Sequence, residues 1–102
     1  MAKIRKKRLR WKASTDPNVV GYKLYWALIQ GVDYDSASVN IGNVTGIVLP
    51  DNVSSFPLVA GEMELGVTAI NQEGNESDMA LLSARIDFSV PAPPTDVTLE
   101  DI

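Results

Sequence analysis

The chain has 102 residues, 45% of them hydrophobic, which suits one domain with a packed core. Cysteine and histidine are both absent, so disulfides, thiolate or imidazole metal sites, cysteine nucleophiles and Ser-His-Asp chemistry are excluded together. The net charge of −4 conceals an asymmetry: Lys3, Arg5, Lys6, Lys7, Arg8, Arg10 and Lys12 precede a body in which Lys23 and Arg85 stand against all thirteen acids. A carboxylate pair is the remaining acid–base chemistry, and it needs a cleft that a small β-domain seldom forms. No apolar run reaches the roughly 18 residues of a membrane span, and the basic N-terminus has no apolar stretch behind it, so no signal peptide is expected.

Nearly every stretch alternates with period 2, which predicts an all-β chain. In "RLRWKA", Leu9, Trp11 and Ala13 fall on an inward face and Arg8, Arg10 and Lys12 on the outward one. "STDPN" supplies a turn. "VGYKLYWALI" places Tyr22, Leu24 and Trp26 inward and Lys23 and Tyr25 outward, which makes Tyr25 the exposed aromatic to watch. "QGVDYDSAS" reads as a polar loop. "SVNIGNV" and "TGIVLP" read as two short strands joined by a hairpin turn at Gly42 and Asn43. In the long connection "DNVSSFPLVAGE", Phe56, Leu58 and Val59 are expected to cover one end of the core. "MELGVTAIN" points Met63, Leu65, Val67 and Ala69 inward, and "LLSARIDFSV" does the same with Leu82, Ala84, Ile86, Phe88 and Val90. Six strands with regular turn signals predict an antiparallel two-sheet sandwich.

Two stretches, "LRWKASTDPNVVGYKLYW" and "VTAINQEGNES", carry a more specific pattern. They contain a tryptophan in the first strand here, a Gly-Tyr opening the next, and an Ala-x-Asn ahead of a Gly-x-x-Ser turn. In this the chain resembles the fibronectin type III domain, particularly its bacterial form, over about residues 7–90. The resemblance implies an immunoglobulin-like sandwich acting as a non-catalytic interaction, spacer or assembly module of an extracellular, cell-surface or virion structure. It does not name an activity. Three departures stand out. Met63 occupies the position of the family's corner tyrosine, leaving Phe56 to hold that corner. Lys7 replaces an inward apolar residue, so the strand is expected to fray there with its aliphatic stem along the core edge. The family's first strand belongs ahead of "RLRW", where only the basic leader 1–6 and Lys7 lie, mostly Lys and Arg.

Residues 91–102, "PAPPTDVTLEDI" after Val90, resemble the opening of such a module: Pro93 and Pro94, a polar pair, then alternating Val97 and Leu99. Three readings stay open: the start of a further module, a strand donated to another copy, or a free terminus. By the family's geometry, a tail returning to its own first-strand position would lie parallel to its neighbour, whereas entry into another copy keeps the usual direction. The expected partner is therefore a protein, another copy included, with polysaccharide reached only through neighbouring domains. A carbohydrate-enzyme accessory role is the alternative. Nucleic acid at "KIRKKRLRWK" is disfavoured, because Trp11 points inward and the acidic body repels a polyanion. No cofactor is expected. Asp16, Asp33, Asp35 and Asp78 are possible calcium ligands without the spacing of a full loop, and Asn43, Asn52 and Asn75 sit in glycosylation sequons.

Overall fold

The computed structural model describes residues 2–29 and 31–102. Six strands follow in order: β1 (Lys7–Arg10), β2 (Val19–Leu28), β3 (Ala37–Gly42), β4 (Gly46–Leu49), β5 (Ala60–Asn71) and β6 (Ala80–Asp87). They form two antiparallel sheets, β1-β4 and β3-β2-β5-β6, giving an all-β sandwich.

One correction concerns β3 and β4. They do not form a hairpin: β3 pairs with β2, while β4 pairs with β1, so residues 43–45 carry the chain from one sheet to the other. Gly42, at φ 80°, makes the bend that starts this crossing. The chain does bend at Gly42, but β3 pairs beside β2 in one sheet and β4 beside β1 in the other.

The core lies between the sheets. Leu24, Trp26, Ile47, Leu49, Val53, Phe56, Met63, Leu65, Ile86 and Phe88 are all buried and mutually packed. Tyr22 is also buried, and Leu9, Trp11, Val67 and Ala69 are half-buried. Phe56 stands 5.3 Å from the Trp26 ring and 5.8 Å from that of Phe88, both tilted or edge-on, and closes the end of the core where Met63 is buried. In the same connection Leu58 and Val59 stay exposed; Val53 is the second residue that turns in. Ile4 from the leader packs on the core, and Lys6 pairs with Asp51 at 2.7 Å.

The inner face of β6 is covered at one end only. Ile86 is 4% exposed, Ala84 half-buried and Leu82 49% exposed, although Leu82 sits directly across from buried Leu65. Leu82, expected inward, is therefore exposed; Val90 and Ala13, also expected inward, lie past the ends of β6 and β1 and are exposed as well. The reason is the width of the opposing sheet. Ile41 of β3 and Ile47 of β4 line one cavity, so β4 lies over β3; Trp11 and Ala80 line another, so the free side of β1 faces β6. Two strands over four leave the Leu82 end of β6 without a cover.

Candidate functional site: an unpaired strand edge and an uncovered flank

On its free side β1 presents backbone groups that no described residue engages as a strand. Their direction follows from β4. The Trp11 amide donates to the Thr45 carbonyl at 3.0 Å, so Trp11, and by alternation Leu9, bond toward β4. Val48, opposite Arg8, has its amide and carbonyl engaged by Asn52 at 2.7 and 2.8 Å on the far side. The amides and carbonyls of Arg8 and Arg10 therefore point outward from the edge, and the side chains of Arg8, Arg10 and Lys12 are exposed beside them. Below this edge, Trp11, Tyr22, Val67 and Ala80 line a cavity of about 130 Å³ between the sheets. The Trp11 indole N–H is buried with no acceptor among the described residues. Its ring lies 5.7 Å from Tyr22, whose hydroxyl oxygen accepts from the Ser14 amide at 2.9 Å.

The tail stands apart from this flank. Residues 91–102, including Pro93 and Pro94, are exposed and in no strand, with Val97 at 87% and Leu99 at 101%. It leaves from the pole where β6 ends and β1 begins: Phe88 bonds Val59 just before β5, and Lys7 pairs with Leu49 at the end of β4.

Tyr25 requires a correction. It lies on the outer face of the larger sheet, as its parity demands, but is 1% exposed and is no free contact residue. Two loops fold back over it. The loop after β2 is tied down by Glu64, whose carboxylate accepts from the Gly31 and Val32 amides at 3.1 and 2.9 Å, and it lays Tyr34 edge-on to Tyr25 at 5.8 Å. The turn after β5 brings Glu76, which accepts hydrogen bonds from the Tyr25 hydroxyl and, at 2.7 Å, from Thr68. Tyr34 also donates to the Ser77 carbonyl at 2.7 Å, which clips the two loops together. Gly66, opposite Tyr25, leaves the space that Met79 fills: a Cβ there would stand 2.3 Å from the Met79 sulfur.

The charges fit this burial. Burial pushes the Glu76 carboxyl up, but the hydrogen bonds from Tyr25 and Thr68, helped by Lys23, outweigh it and hold the group below its ordinary value. Burial, together with the bond to Glu76 and its charge, raises the Tyr25 phenol well above its ordinary range. Lys23 caps the Tyr25 ring at 5.2 Å. A perturbed pair of this kind in an open cleft would suggest chemistry. Here it is closed over by loops and serves as a second, small core.

Among the described residues no group of three acids converges as a metal site. Asp33 accepts from the Asp35 amide at 2.9 Å and Asp16 from the Asn18 amide at 2.8 Å, the usual work of aspartate in turns. No helix among them is long and apolar enough to cross a membrane. Comparison of the chain with family models, with curated proteins and with solved structures finds no match.

Proposed function

We propose that the protein is a non-catalytic, fibronectin type III-like interaction and assembly module, and that it engages its protein partner by strand addition along β1. The observation that carries this is the coincidence of an outward-directed row of backbone groups at Arg8 and Arg10 with an uncovered apolar face, Leu82 being 49% exposed on the core side of β6. An added strand satisfies both at once: main-chain hydrogen bonds to the edge, and alternate side chains on the bare face. Natural sandwiches usually blunt such an edge. Here Arg8, Arg10 and Lys12 make it soluble and select a partner strand rich in acidic residues.

Amide hydrogen exchange tests the reading. In the dilute chain the Arg8 and Arg10 amides exchange rapidly; at concentrations where sedimentation shows association, they become protected. Arg8→Pro removes one outward amide without breaking the β4 ladder, so the chain still folds but associates poorly. Association with those two amides still exchanging rapidly would place the contact elsewhere. Binding of single-stranded DNA at moderate salt, lost with Arg8 and Arg10, would instead favour an anionic polymer as the partner.

A further inference from the structure

The edge and the flank make specific demands on an occupant, and residues 96–101 of the same chain meet them. An occupant must alternate, with apolar residues on one face for Leu82 and the cavity beneath Trp11. It must carry acids on the other face, beside Arg8, Arg10 and Lys12. In the tail, Val97 and Leu99 fall on one face, followed at the end of the segment by Asp101, which comes opposite Lys7 when Arg8 stands opposite Glu100, and Asp96, Thr98 and Glu100 fall on the other. Resting on the reading of β1 as a docking edge, we infer that this edge receives residues 96–101 of a second copy as an antiparallel strand, with Arg8 opposite Glu100 and Leu9 beside Leu99.

Register follows from charge and parity. With Arg8 opposite Glu100, Lys12 meets Asp96 and Arg10 meets Thr98, while Trp11 and Leu9 flank Val97 and Leu99 on the inner face. Sliding the tail by two residues in either direction leaves one opposite-charge pair among residues 8–12 instead of two. Sliding by one turns Val97 and Leu99 to solvent. In the favoured register Arg8 and Arg10, whose backbone groups point outward, become the hydrogen-bonded positions.

Geometry makes the donor a second copy. A strand antiparallel to β1 must enter from the Lys12 end, whereas the tail leaves its own molecule at the Lys7 end. To serve itself, residues 91–95 would have to run the length of β1 and then reverse. Pro91, Pro93 and Pro94 favour an extended course instead. The molecule measures 69 Å along its long axis against 24 and 18 Å across, which carries the tail away from its own body. The contact joins different surfaces, so repetition gives open chains of copies, and reciprocal exchange of tails between two copies closes a pair.

The chain has no cysteine, which permits a direct test. A variant carrying both Leu9→Cys and Leu99→Cys is oxidised and run on a non-reducing gel. The non-hydrogen-bonded pair places the two Cα atoms about 4.5 Å apart, within disulfide range, so a ladder of covalent dimers and higher species is expected. Arg10→Cys paired with Leu99→Cys puts the thiols on opposite faces and gives no ladder. In a second experiment, Arg8→Glu and Glu100→Arg each lower the association constant several-fold, and the two combined in one chain restore it. A crosslinked monomer means that the tail closes on its own molecule and overturns the inference. So does a chain that is monomeric at all concentrations. Association that survives deletion of residues 91–102 while still protecting the Arg8 amide also overturns it, leaving the edge in use by another strand.

Discussion

Tyr25 and Glu76 carry the clearest consequences for single residues. Tyr25→Phe removes a hydroxyl whose partner is a half-buried carboxylate, and is expected to cost about 1–2 kcal/mol in chemical denaturation. The pH dependence has two limbs. Glu76 is held below its ordinary value, so its contribution is present above the unfolded-state pKa of about 4.3 and is lost as pH falls through the folded value. Tyr25 is raised, so its contribution is complete below about pH 10 and is lost as pH rises toward the folded value. Glu76→Gln should therefore flatten part of the acid limb of a stability profile, and Tyr25→Phe part of the alkaline limb. Alternation assigned Tyr25 to the correct face and the wrong environment. Period 2 states which way a side chain points; it does not state whether Tyr34, Glu76 and Met79 come back from other loops to cover it. The nearest local signal was Gly66 in mid-strand, a position that commonly marks close approach of another group.

At the level of the strand, β6 offers an internal comparison. Leu82 and Ile86 share one face, yet one is half open and the other buried. Ile86→Ala should cost about 2–5 kcal/mol, as buried truncations do, and Leu82→Ala below about 1 kcal/mol, measured by thermal or urea unfolding of the dilute chain. Equal losses at the two positions would mean that the flank is covered in solution. Leu82→Asp, tolerated by the monomer for the same reason, should suppress association. The hairpin expected at Gly42 and Asn43 fails at this scale as well. A turn signal marks where the chain bends, whereas pairing is decided by which edges the sandwich brings alongside. β1 and β4 have four residues each, too few to predict their pairing from pattern alone.

For the molecule as a whole, shape is the measurable quantity. The radius of gyration is 18.0 Å, against about 13 Å for a compact chain of this length, and the excess lies with the projecting tail. Deleting residues 91–102 should bring the value from dilute small-angle scattering down to about 12–13 Å while leaving the melting temperature unchanged, because the tail buries nothing in its own molecule. A fall in the melting temperature of the dilute chain that does not depend on protein concentration would show that the tail packs on its own body.

The class of the fold, its six strands and the inward direction of Leu24, Trp26, Leu65, Ile86 and Phe88 were legible in the order of residues along the chain. Alternation over five or more residues is a local property, and burying the apolar face follows from it. The parting of β3 from β4, the burial of Tyr25 on the outer face and the bare Leu82 end of β6 beside β1 were settled by the assembly of the sheets. Each depends on segments distant in the chain. The Tyr34 loop meets the Glu76 turn 43 residues on, at the Tyr34–Ser77 hydrogen bond, and two strands are laid over four. Cover is a property of the assembled sheets, and no single strand encodes it.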